Sequence, residues 1–139
     1  MSDITLTITG SQIENDGLEN KIELITDGHL TKENGETLIE YCDNDMFGEE
    51  EVVTSLKIAD DSVYMMRSGD VTTEVVFTEA KTYEAMYNTP AGNFLVNVFP
   101  IRVYTEESET GGSLDLEYEI KIGEVHAHNK LNIVYKLDN

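Results

Sequence analysis

Apolar and charged residues alternate without interruption along Leu114-Asp115-Leu116-Glu117-Tyr118-Glu119-Ile120-Lys121-Ile122, and no other feature restricts the fold as tightly. Side chains of a β-strand point alternately to opposite faces, so this segment has one face for a core and one for water. A helix would scatter the same residues around its circumference and bury charge. Ile4-Thr5-Leu6-Thr7-Ile8-Thr9 repeats the pattern with threonine on the wet face, and Leu131-Asn132-Ile133-Val134-Tyr135-Lys136-Leu137 repeats it near the other end of the sequence. Less regular runs lie at 21–26, 37–42, 52–59, 62–67, 72–77, 83–87 and 93–99. Each has the length of an ordinary strand.

Turn chemistry separates the runs. Asp27-Gly28, Asn34-Gly35, Ser68-Gly69 and Gly111-Gly112 supply residues that tolerate positive φ, and Asp60-Asp61 leaves space for only a tight connection. Thr89-Pro90-Ala91-Gly92 predicts a hairpin joining 83–87 to 93–99, with Pro at the position that wants φ near −65°. Pro100 should end or bend the strand it follows, because proline cannot donate to a sheet ladder. Phe77, Ala80, Glu84 and Tyr87 share a helical face only over a short distance, so at most one short helix is expected. Many short strands with turns between them predict an all-β, antiparallel sandwich or barrel, in one domain spanning residues 1–139.

The composition narrows the function. With 28 acidic against 9 basic side chains the net charge is −19. Nucleic acid and anionic membrane surfaces are therefore poor partners, since both need clustered Lys and Arg. No apolar run approaches the roughly 20 residues of a membrane helix. The start of the sequence has neither a basic segment nor a continuous apolar one, so no signal peptide is expected. Cys42 is the single cysteine, which forbids an internal disulfide and fits a reducing, cytoplasmic location.

Few residues carry candidate chemistry. His126 and His128 share one strand face with Glu124, and His29 would have to complete a metal site; solvated histidines among carboxylates are the better reading, and no metal is expected. Asp43 to Glu51 invites a calcium reading, but Phe47 and Thr54 stand where a calcium loop needs oxygen ligands, so a solvated acidic loop describes it better. Cys42 has acidic neighbours that would raise its pKa, and reads as a packing residue. Arg67 and Arg102 are the only arginines. Arg67 is either a clamp for an anionic ligand at the end of the β-structure or a structural group, paired with a cross-strand acid or packed on a tyrosine. No nucleophile elbow, phosphate loop or zinc-protease motif occurs, and the chain is read as non-enzymatic, with no cofactor.

The order of the runs resembles the YwiB-like family of small bacterial proteins, which has no assigned activity. The resemblance rests on Ile8-Thr9-Gly10-Ser11-Gln12, Ser55-Leu56-Lys57-Ile58 followed by Asp61-Ser62-Val63, Arg67-Ser68-Gly69, Tyr87 to Gly92, Gly112 to Tyr118 and Asn129 to Ile133. It implies a calycin-like or lipocalin-like antiparallel barrel of about eight to ten strands, and no catalytic residues. In such a barrel the expected inward residues are Leu6, Ile8, Leu24, Leu56, Val63, Met65, Val75, Phe77, Phe94, Val96, Leu116, Tyr118, Ile133 and Tyr135.

The expected function is binding of a small apolar or amphipathic ligand in the barrel, with Arg67, Tyr118, Tyr135 and Phe94 as candidate ligand-binding residues. The alternative is an acidic interaction module whose outer residues Asp115, Glu117 and Glu119 engage a basic protein. Oligomeric state is left open, since a closed barrel has no free edge and association would need an apolar patch such as Met46-Phe47 or Phe99-Pro100-Ile101.

Overall fold

The computed structural model describes residues 2–14, 17–44, 51–59, 62–68, 73–89 and 92–138. Each of the ten alternating runs becomes a strand: β1 (Ser2–Glu14), β2 (Glu19–Glu33), β3 (Glu36–Asn44), β4 (Glu51–Ile58), β5 (Ser62–Ser68), β6 (Thr73–Thr78), β7 (Tyr83–Thr89), β8 (Gly92–Ser108), β9 (Gly111–Ile122) and β10 (Val125–Leu137). No helix occurs among the described residues. The strands form one antiparallel sheet in the order β6-β5-β4-β3-β2-β1-β10-β9-β8-β7.

This order is a meander closed by its first and last strands. β1 and β10 pair from Ile4↔Leu137 to Glu14↔Ala127, contacts between opposite ends of the sequence. The remaining seam falls between β6 and β7, which have no strand ladder to each other among the described residues; the isolated bridge Thr78↔Lys81 lies in the connection that precedes β7. The barrel is therefore nearly closed rather than continuous. Its upper end carries the β1–β2, β3–β4, β5–β6, β7–β8 and β9–β10 connections; the lower end carries the other connections, with Ser2 and Leu137 beside them.

Strand parity sorts core from surface. Ile4, Leu6 and Ile8 of β1 meet Ile39, Leu56, Val63, Phe77, Leu114 and Ile133 in one buried cluster, while the intervening residues face water. Burying an aliphatic or aromatic side chain contributes about 1.5–3 kcal/mol, so this interior is the main source of stability. Among the expected inward residues, Leu6, Ile8, Leu56, Val63, Phe77, Val96, Leu116, Ile133 and Tyr135 are buried, and Leu24, Met65, Val75 and Tyr118 pack partly buried against them. Phe94 departs from the expectation of burial. It has the inward parity of Val96 and Val98 but is 45% exposed, because it lies close to Gly92 at the upper rim, where the lumen opens.

The turns divide into those that form as expected and those that do not. Asn34-Gly35 closes the β2–β3 hairpin with both φ values positive, 54° and 80°. Asp27-Gly28 is not a turn: β2 runs straight through it, with Gly28 opposite Ile4 on one side and Tyr41 on the other. Gly111-Gly112 opens β9 rather than forming the turn, which is made by Glu109 and Thr110. β7 pairs with β8 as expected, although Pro90 and Ala91 themselves lie outside the described residues, as do Asp60, Asp61 and Gly69. Pro100 bends its strand without ending it. The pairing shifts by one residue between Pro100↔Tyr118 and Arg102↔Glu117, a bulge that leaves Ile101 exposed.

Candidate functional site

The two ends of the lumen treat their polar groups differently. At the lower end, Thr37 on β3 is buried and donates from Oγ1 to Glu107 Oε1 of β8 at 2.5 Å, while Lys32 Nζ of β2 lies 3.5 Å from the other oxygen of that carboxylate. The hydroxyls of Ser62 and Thr78 meet at 2.5 Å. These groups satisfy one another, and Ser62 and Thr78 line a cavity of about 320 Å³ at that end.

At the upper end the corresponding groups are not paired off. Thr54 of β4 is 1% exposed, and its Oγ1 has no hydrogen-bond partner among the described residues. A buried hydroxyl left unpaired costs about 1–3 kcal/mol, so a native barrel that keeps one calls for an explanation. Its cross-strand neighbours are Tyr41 on β3 and Arg67 on β5. Arg67 has the inward parity of Val63 and Met65, and makes no ion pair among the described residues. The cross-strand acid that would have made it a simple salt-bridge residue is absent, since threonines stand opposite it on both sides, Thr54 and Thr73.

Arg67 is exposed at this end. Burial raises the pKa of Tyr118, and the Arg67 charge acts in the opposite direction. The Tyr118 ring also meets Phe77 at 4.8 Å between centroids, tilted by 58°. Phe77 belongs to β6 and Tyr118 to β9, so this contact reaches across the seam and lies beneath the Arg67–Thr54 layer. Arg67 and Phe94 thus belong to one end of the lumen, and the Tyr118 ring lies deeper, at the Phe77 layer. Tyr135 does not belong to that end, and its grouping with them is corrected: β10 carries it to the lower end, opposite Leu6 and Gly112. Thr54 was missed in the sequence because a threonine among alternating residues looks the same whether its hydroxyl is paired or not.

Tyr135 has a structural role at its own end. It is 2% exposed, and its ring lies over Gly112. Burial first, and the Glu107 charge second, push its pKa up to about 12. In an unfolded chain the phenol releases its proton near pH ~10, so between the two values the folded state holds a proton that the unfolded state has lost. The stability this contributes is complete below the unfolded value and disappears as pH rises through the folded one. The urea midpoint is expected to fall across that alkaline window, and less so in Tyr135→Phe; an identical slope in the variant would contradict this.

The remaining candidates take structural roles. His128 Nε2 lies 2.8 Å from Glu117 Oε2, and its Nδ1 lies 3.7 Å from Glu119 Oε1, both on the outer face of β9. His29 pairs with Asp3 at 3.0 Å, far from His126 and His128 along the barrel wall. No group of three His, Cys, Asp or Glu able to hold a metal occurs among the described residues. The acidic stretch at 45–50, with Met46-Phe47, lies outside them. Cys42 is corrected from packing residue to surface residue: Tyr41 takes the inward position, and parity turns its neighbour out. Arg102 stacks over Tyr104, 5.1 Å from the ring centroid. An outer groove of about 710 Å³ holds Lys21, Arg102 and Lys130, but Glu117 stands opposite both Arg102 and Lys130, and Glu19 holds Lys21 at 3.2 Å.

These features define a nearly closed, ten-stranded antiparallel β-barrel. The chain belongs to the DUF1934 family, a domain of unknown function, whose model matches residues 6–133. It is 29% identical over 135 residues to the uncharacterized β-barrel protein YwiB of Bacillus subtilis (strain 168), covering 96% of this chain and 92% of that protein. The crystal structure of the YwiB protein from Bacillus subtilis matches with a TM-score of 0.88 at 22% identity, over 99% of this chain and 93% of that one. The expected membership and barrel fold are both borne out.

Proposed function

We propose that the barrel is a binding protein, not an enzyme, and that it takes a small amphipathic ligand into the upper end of its lumen. The observation that carries this is the contrast between the two ends: Thr37, Lys32 and Glu107 satisfy each other below, while Thr54 Oγ1 has no partner above and Arg67 beside it has no ion pair among the described residues. Apolar surface lies directly beneath them. Met65 and Val75, one layer further in, face the lumen but are only partly buried. A polar mouth over an apolar floor matches a molecule with one polar end.

The acidic-module alternative gains less support. Asp115 accepts from Asn132 Nδ2 at 2.5 Å, and His128 lies against both Glu117 and Glu119, so all three carboxylates are engaged within the sheet. The test is a thermal-shift panel of fatty acids, retinoid-like compounds and haem. A ligand present at a hundred times its Kd stabilises by about 2.7 kcal/mol, which for a domain of this size raises Tm by roughly 5–10 °C. No shift across the panel would overturn the proposal.

A further inference from the structure

We infer that the upper lumen is a carboxylate site, in which the headgroup of a linear monocarboxylate pairs with the Arg67 guanidinium and accepts a hydrogen bond from Thr54 Oγ1 while its tail lies on Met65 and Val75. This rests on the ligand-binding reading above and specifies its chemistry.

Three features select the headgroup. First, Thr54 and Arg67 are direct cross-strand partners on the inward face, so one small acceptor group can reach both a hydroxyl and a guanidinium. Thr54 Oγ1 is buried without a partner among the described residues, which suits a donor kept for something absent from the chain itself. Second, Tyr118, partly buried against Phe77, adds a phenol hydroxyl able to donate. Third, charge limits the ligand to a monoanion. In a molecule of net charge −19, one guanidinium compensates one negative charge, and a phosphate dianion would bring a second charge into a repulsive field. A cationic headgroup would face Arg67 directly.

The tail follows from the layering of β4, β5 and β6. Beneath Thr54–Arg67 comes Leu56–Met65–Val75, and beneath that Ile58–Val63–Phe77. Leu56, Val63 and Phe77 are fully packed, whereas Met65 and Val75 retain accessible surface. An adaptable methionine at this depth suits an alkyl chain. Phe94, exposed at the rim, provides apolar cover at the entrance.

The experiment compares decanoate with decanol by calorimetric titration of the full chain, in the native protein and in Arg67→Met and Thr54→Val. Decanoate is expected to bind about tenfold or more tighter than decanol, because a charge-assisted hydrogen bond to guanidinium has that value in affinity. Arg67→Met should remove this preference and leave decanol unchanged. Thr54→Val should act with opposite signs on two readouts, raising the Tm of the free protein by removing the unpaired hydroxyl and weakening decanoate binding. A purely structural threonine would not produce that combination. Equal affinity for the acid and the alcohol would overturn the carboxylate assignment and leave the ligand-binding reading intact; binding of neither, together with a flat thermal-shift panel, would overturn both. Unchanged decanoate affinity in Thr54→Val would overturn the placement of the headgroup.

Discussion

Replacing Phe77 with alanine is expected to lower stability by about 3–5 kcal/mol, a large part of the 5–15 kcal/mol typical of a folded domain. The ring is 2% exposed and stands on β6, whose outer edge has no strand ladder to β7 among the described residues. Phe77 against Tyr118 is a ring contact that ties β6 to β9. Alanine would leave a cavity and detach β6 from β9 at the same time. Urea unfolding should show the midpoint falling with little change in slope, and amide exchange should accelerate first in β5, β6 and β7. Phe77→Leu should recover more than half of the loss. A cost below about 1 kcal/mol for alanine would mean that the ring pair does not fasten the seam.

Gly28→Ala is expected to cost about 2–3 kcal/mol although it adds a single methyl group. A Cβ at this position would lie 2.5 Å from the Glu40 carbonyl oxygen, 2.7 Å from Leu6 Cδ1 and 3.2 Å from Tyr41 Cβ. The first neighbour is backbone in a paired strand, so relief requires β3 to move away from β2 and disturbs the ladder between Gly28↔Tyr41 and Glu33↔Glu36. The second is a core side chain with no exposure. Valine should be worse than alanine. Thermal unfolding of the two variants measures the effect, and an alanine variant as stable as the parent would show that β2 and β3 can separate locally without penalty.

Gly28 also shows where reading the chain locally stops working. Asp-Gly is a good turn signal, but the need for glycine at this position comes from Glu40, Leu6 and Tyr41, which are 12, 22 and 13 residues away in the sequence. A dipeptide carries no trace of that demand. The same holds at the candidate site. The parity of Arg67 and Tyr118 follows from alternation along β5 and β9, yet the depth of each in the lumen depends on how the strands pair and wrap. Phe94 has the correct face and the wrong depth, because depth depends on distance from the rim. Thr54 is an ordinary strand threonine until its surroundings show that nothing among the described residues meets its hydroxyl.

Alternation alone located ten strands and, in the regular ones, their inner and outer faces, because the period of two is a property of each strand's own backbone and needs no partner. Leu114 and Leu116 are inside and Asp115 is turned outward for that reason. What required the tertiary structure was everything set between strands: the pairing of β1 with β10, the seam at β6 and β7, the placing of Tyr135 and Arg67 at opposite ends, and the lone hydroxyl of Thr54 beside Arg67. These depend on register and closure, which arise from contacts between residues far apart in the chain.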